Sequence, residues 1–329
     1  MTAILILNWN GFKDTIECIK SLLAMDTEEF WIVVGDNGST NGSVAEISEY
    51  LAKEKIHFHT AELGNTHNLN LGKKDVVLLE MKQNHGFSKG NNLMIEFIAQ
   101  YKPQNYLLLN NDTTVEPDFL SKLVEFKNNN SSYKVLTPLI FYFSNPTMVW
   151  NAGGKLQYGF NKYHYAKQIV ENKNLPDSIK CTFITGCALF FGEDLLMGTK
   201  LFTEKFFFGE EDFEFSMRMK RQNVKMACVT SSVIYHKVSA SSKKVTNLNK
   251  VFIHYLNRFI NLKDFLNPIQ YRITILAYKC QIFRYLQKTG HPMKEIMALL
   301  RHLSKESSRL NGVSKEYFEK VWYQKSKSF

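Results

Sequence analysis

Three features of this 329-residue sequence predict an α/β fold around a mostly parallel sheet. Short apolar runs of strand length alternate with longer segments whose apolar residues recur at helical spacing, the pattern of βαβ units. Each apolar run stops at a cluster of Asn, Asp or Gly, at the end where parallel sheets bind ligands. A hydrophobic fraction of 44% with 22% charged residues suits a chain that buries a core.

The elements follow in order. "AILILN" (Ala3 to Asn8) is a buried-strand run, and Phe12, Ile16, Ile19, Leu22 and Leu23 then share one helical face. "FWIVVGD" (Phe30 to Asp36) is the second strand; the turn-rich "NGSTNGS" leads to a helix over Val44 to Lys53. His57 to Lys74 is Asn-rich and irregular and reads as an insertion. "DVVLLEM" (Asp75 to Met81) is a strand, followed by the loop "NHGFSKGNN" and a helix reaching Tyr101. "NYLLLN" is the next strand, running into Asn110, Asn111 and Asp112, with Pro117 at a helix start. One polar strand end could be an Asx turn. Four of them, Asn8 to Asn10, Asp36 to Gly38, Asn84 to Asn92 and Asn110 to Asp112, make a candidate ligand rim. From Val245 onward the pattern is helical.

Composition excludes several classes. No apolar stretch reaches the roughly 18 residues of a spanning helix. "MTAILILNWNG" reads as a strand and not as a signal peptide. Five scattered Cys without Cys-x-x-Cys spacing argue for reduced thiols and against structural zinc. The net charge of +10 suits an anionic partner such as a nucleotide or an acidic membrane face. No recognition helix or zinc finger points to nucleic acid, and "NWNG" lacks the Gly-x-Gly-x-x-Gly of a dinucleotide-binding turn.

"LILNWNG", "VVGDNGSTNGS", "NHGFSKGNN", "LLLNNDTTVEPDFL", "ITGCALFF", "LFTEKFFFGEEDFEFSMRMKRQ" and "VIYHKVSASS" occur in that order. Over residues 2 to 265 this series resembles the family 2 glycosyltransferases, in particular the rhamnosyltransferase-like branch of bacterial surface polysaccharide assembly. The resemblance implies a GT-A fold, a Rossmann-like nucleotide-diphospho-sugar transferase over 1–244, with a helical C-terminal extension over 245–329. It implies inverting transfer of a sugar from a UDP- or dTDP-sugar to a lipid-linked or polysaccharide acceptor, in O-antigen or capsule synthesis. The expected location is cytoplasmic, peripheral on the inner face of the plasma membrane.

The residues suit that chemistry. A departing diphosphate concentrates negative charge, which Mg²⁺ or Mn²⁺ neutralises through oxygen ligands. The family's Asp-x-Asp stands here as Asn110-Asn111-Asp112, so Asp112 alone is anionic and a weakly held metal is expected. His236, after the strand "SSVIYH", matches a late family His that completes the metal site or meets the diphosphate. The resemblance assigns Asp36 to the base or ribose, and Asn8, Gly86, Asn91, Asn110, Asn111 and Arg218 to the nucleotide-sugar. An inverting transferase needs a carboxylate to take the acceptor proton. In "GEEDFEF" the matching pair is Glu211-Asp212, with Asp212 the base and Glu211 its alternative. Ser239, Ser241 and Ser242, with Lys237, Lys243 and Lys244, suggest a loop able to close over a diphosphate. The degenerate metal motif leaves a second reading, an impaired scaffold of the same fold that still binds a nucleotide-sugar. Beyond Pro268, 12 Lys and Arg face 4 Asp and Glu, and Tyr271, Tyr278, Phe283 and Tyr285 interleave with them. That pattern suits an anionic membrane surface or, equally, a solvated helical pair packed on the core.

Overall fold

The computed structural model describes residues 1–65, 68–171, 174–196, 200–238 and 248–323. The Ser239–Lys244 loop therefore lies outside the described residues. Strands β1 (Thr2–Asn8), β2 (Phe30–Asp36), β4 (Val76–Glu80) and β5 (Asn105–Asn110) form where the apolar runs predict them. They pair in parallel, with Asn8 opposite Asp36 and Leu7 opposite Asn110, so their carboxyl ends share one rim. Both faces of β1 are covered: Ile4 and Ile6 enter one apolar cluster, Ala3 and Leu5 the other. That explains the unbroken apolar run, since a strand buried on two faces has no polar face to alternate with. Helices α1 (Phe12–Leu23), α2 (Ser43–Lys53) and α4 (Phe119–Asn129) cover one side; α3 (Phe87–Ala99) and α5 (Glu211–Arg221) cover the other. Each fully buried Ile or Leu stabilises by about 1.5–3 kcal/mol before the entropy of ordering is subtracted.

Two findings depart from the sequence expectation. The supposed insertion contains an edge strand, β3 (Phe58–Glu62), parallel to β4. Its side chains are mostly half-exposed, so it lacks the apolar run that marks the inner strands. The sheet is also mixed: β12 (Ala188–Gly192) runs antiparallel between β5 and β7 (Tyr133–Tyr142). Beyond it, β13 (Lys225–His236) lies parallel to β7 and pairs through its last residues with the short β6 (Thr113–Val115). That pairing sets His236 opposite Thr113, beside Asp112.

The C-terminal residues form α6 (Leu248–Phe265), α7 (Pro268–Lys288), α8 (Met293–Arg309) and α9 (Lys315–Trp322). Asn267 caps α7 by accepting from the Gln270 amide (2.9 Å), and Pro268 opens its first turn. An apolar cluster joins Phe252, Phe259, Ile282 and Leu299 of these helices to Phe183, Phe206 and Phe213 of the preceding chain. The core therefore crosses position 245.

Candidate active site

A cavity of about 600 Å³ opens at the carboxyl rim of the sheet, lined among others by Asn110, Asn111, Asp112, His236, Glu211 and Asp212. Its sheet side is built by strand ends. Asp112 follows β5, and its Oδ1 lies 3.0 Å from His236 Nε2. Trp150 packs edge-on against the His236 ring, with centroids 4.4 Å apart. Burial opposes charging this imidazole, but Cys187 and the Asp112 carboxylate outweigh it and push the pKa up to about 10. Asn111 donates to Thr15 Oγ1 (3.1 Å) and so ties the rim to α1. Lys237, next to His236, is held by Asp14 and Glu17 of α1 at 2.6 and 2.7 Å.

The opposite chemistry sits at the start of α5. Glu210 adopts a left-handed conformation (φ 72°) and is buried. Its Oε2 accepts from Arg258 Nε of α6 at 2.6 Å. The guanidinium also donates to Tyr278 of α7 (2.7 Å) and lies 3.6 Å from the centroid of the Phe213 ring. A buried charge needs such a partner, because desolvation alone would neutralise it. Glu210 is thus spoken for, and the two carboxyls of this run that line the cavity are Glu211 and Asp212. Burial and the neighbouring Asp212 charge push the Glu211 carboxyl up, and its Oε2 has no hydrogen-bond partner among the described residues. Burial and Glu210 push Asp212 up to about 6, while Arg258 and backbone N–H groups pull it back. Both carboxyls are therefore held above the usual carboxylate range, and the Arg258 charge favours the ionised form of Asp212.

Four predicted residues stand elsewhere. Asn8 and Asp36 lie buried beneath the rim, where Asn8 Nδ2 donates to Asp36 Oδ2 (2.7 Å). The other Asp36 oxygen accepts from the Ser39 amide (2.9 Å), closing the turn after β2. Asn91 bonds back to the Phe87 carbonyl within α3 (2.9 Å). Arg218 needs correction as a sugar contact: its guanidinium is engaged by Glu214 (3.1 Å) and the Leu201 carbonyl (2.5 Å) and does not line the cavity. It lies about two turns, roughly 10 Å, further along α5 than Glu211, beyond the reach of the cavity. Gly86 lines the cavity, and a Cβ there would stand 2.1 Å from the Phe207 carbonyl oxygen. Close backbone packing therefore requires this glycine.

Sequence reasoning missed the wall that α9 contributes. Phe318 and Trp322 stack at 4.9 Å and meet Phe208 at 5.8 and 6.2 Å, closing the cavity next to Glu211. The available signal was the i, i+4 aromatic pair in the last helix.

Asp112 and His236 present one carboxylate oxygen and one imidazole nitrogen 3.0 Å apart, which can serve a divalent cation once the imidazole gives up its proton, so cation binding there would release a proton and weaken as pH falls. A second candidate cation site, His57, His59 and Asp75, has its ligand atoms within 4.8 Å of one another. It stands at the amino ends of β3 and β4, away from the carboxyl rim, and joins neither Asp112 nor Asp212. Among the described residues no helix is long and apolar enough to cross a membrane.

The sequence model described as Glycosyl transferase family 2 matches residues 3–191, and that of Glycosyl transferase family group 2 matches 107–278. The first match spans more than half of the chain, which belongs to glycosyl transferase family 2. Agl10, a low-salt glycan biosynthesis hexosyltransferase of Haloferax volcanii, is 20% identical over 268 residues, covering 78% of this chain and 74% of that protein. The crystal structure of S. aureus TarS 1–349 superposes with a TM-score of 0.49 at 14% identity, covering 100% of this chain and 93% of that one.

Proposed function

We propose that this GT-A-fold glycosyltransferase inverts the anomeric carbon as it moves a hexose from a UDP- or dTDP-sugar to a hydroxyl of a growing or lipid-linked glycan. One observation carries the reading: the Asp212 carboxyl shares a single cavity with the Asp112–His236 pair. Asp212 accepts the proton of the acceptor hydroxyl as its oxygen bonds to C1, and the C1–O bond to the diphosphate breaks on the opposite face. A divalent metal, Mg²⁺ or Mn²⁺, held by Asp112 and His236, would neutralise the charge gathering on the leaving diphosphate. Asn110 and Asn111 supply neutral amides to the donor phosphates or sugar, and Asn8 with Asp36 holds the turn beneath the nucleotide. The aromatic wall of Phe208, Phe318 and Trp322 excludes water from the attacked carbon and offers flat faces to an acceptor sugar. A glycan acceptor is supported by the Haloferax volcanii relative, whose name describes a hexosyltransferase of glycan biosynthesis. The test is a screen of UDP- and dTDP-sugars for donor hydrolysis and transfer, with and without Mn²⁺. The expected result is turnover with one donor class that Asp212→Asn abolishes. Nucleotide-sugar binding without turnover in wild type would leave the impaired scaffold in its place.

A further inference from the structure

We propose that the outward face of α7, with the tip of the β9–β10 hairpin (Gly154–Gln157 and Phe160–Tyr163), is a docking surface for an anionic lipid bilayer. Ile269, Ile273 and Leu276 stand at i, i+4 and i+7 on one stripe, 73%, 65% and 64% exposed. Thr274, Tyr278 and Ile282 on the other side of the same helix are buried in the core. A water-facing helix seldom spends three large aliphatic residues on its solvent side, and a contiguous exposed apolar stripe marks an interaction surface. Tyr158, at the hairpin tip, is 72% exposed. Its carbonyl accepts from Thr274 Oγ1 on the inner side of α7 (3.1 Å), and Tyr158 lines one cavity with Ile273, which sets the hairpin tip beside the exposed stripe. The aromatics of the basic tail do not supply this face: Tyr278 is buried, and Tyr271 and Phe283 pack against the core.

Charge selects the occupant. From Pro268 to Lys288 the helix carries Arg272, Lys279, Arg284 and Lys288 and no Asp or Glu. Residues 153–170, which include the hairpin, add Lys155, Lys162 and Lys167, again without an acid. The preceding acid, Asp264, is already paired with Lys205. Between the hairpin and α7 a cavity of about 630 Å³ is lined by Tyr158, Ile273, Lys220 and Arg221, which sets cations beside the aliphatic stripe. An apolar stripe flanked on both sides by cations, with no acid to repel phosphate, is the pattern of a helix lying in a headgroup layer. A protein partner would need matching acids across the whole face, whereas an acidic leaflet supplies them everywhere.

The experiment is sedimentation of the full chain with phosphatidylglycerol/phosphatidylcholine vesicles and with pure phosphatidylcholine vesicles, at low and high salt. Wild type is expected to sediment with the anionic vesicles only, and to be released at high salt by screening. Ile269→Glu/Ile273→Glu should weaken binding tenfold or more, since two aliphatic side chains no longer leave water. Arg272→Glu should weaken it about fivefold. Both changes are solvent-facing, so melting temperature and donor hydrolysis should match wild type. The proposal is overturned if wild type stays in the supernatant, if the isoleucine variant binds as well as wild type, or if neutral vesicles bind equally. It is also overturned if the face instead joins two copies of the chain, seen as a dimer in analytical ultracentrifugation that Ile269→Glu/Ile273→Glu splits without any vesicle binding.

Discussion

The two sides of the cavity handle negative charge in opposite ways. At the sheet rim it is sparse: Asp112 is the single anion of its motif, flanked by two amides and joined to His236 at 3.0 Å. At the start of α5 it is dense: three consecutive carboxyls, of which Glu210 is neutralised by a buried guanidinium. A rim with one carboxylate holds a cation loosely and favours its arrival with an anionic donor. A crowded helix start raises its own pKa values, and Arg258 partly offsets that rise at Asp212, the carboxyl proposed as base. Both arrangements depend on elements remote in sequence, β13 for the first and α6 for the second.

The sharpest way to break this comparison is to neutralise the proposed base. Asp212→Asn keeps the shape and removes the basicity, so turnover should fall roughly 10²- to 10⁴-fold with donor affinity unchanged. Glu211→Gln should cost far less. If Glu211→Gln is the dead variant, the base is Glu211 and the two roles exchange.

Removing the guanidinium comes next. Arg258→Met strands Glu210 in the core and should cost about 3–5 kcal/mol in urea unfolding. Combining it with Glu210→Gln should recover part of that loss, because no uncompensated charge remains. An unchanged unfolding midpoint for the single variant would show that α6 does not hold the α5 start.

On the rim, Asp112→Ala should erase the effect of Mn²⁺ on nucleotide affinity, a change of roughly ten- to a hundredfold by calorimetry, taking the lost ligand as equal to a hydrogen bond to a charged group, roughly 1.5–3 kcal/mol. Equal wild-type affinity in EDTA and in Mn²⁺ would remove the metal from this side of the cavity.

The smallest effect is on pH. The raised Asp212 must be deprotonated to act, so kcat/KM should rise with pH through about 6 and then level. Glu211→Gln should leave that inflection in place, because burial and Glu210, and not Glu211, raise Asp212. For stability the sign is the reverse: a carboxyl whose folded pKa is raised contributes fully below its unfolded value and loses that contribution as pH rises through the folded one. Burial raises Glu211 from 4.5 to about 8, so Glu211→Gln should gain stability on wild type across that interval. A pH–rate profile and thermal melts at acid and alkaline pH check the two signs.

Much of the site was legible because local chemistry writes it. The motif residues Asn110, Asn111, Asp112, Glu211, Asp212 and His236 all line the cavity. What failed was direction and distance. Arg218 carries the right charge near the right helix start, but its turn of the helix directs it to Glu214. Asn8 and Asp36 are at the rim in register yet spend their polar atoms on each other and on the turn below. The edge strand β3 escaped because an edge strand needs no apolar run.

By itself the sequence determined the alternation of strand and helix, the parallel half of the sheet and the family, because periodicity and short motifs are local properties. Only the tertiary structure decided that His236 meets Asp112 over 124 residues, and that Arg258 meets Glu210 over 48. It also decided that α9 walls the cavity and that Ile269, Ile273 and Leu276 face outward while Tyr278 faces in. An apolar residue is compatible with burial or with a membrane, and a charged one with a partner or with water. Which holds is settled by what the rest of the chain packs against each side chain.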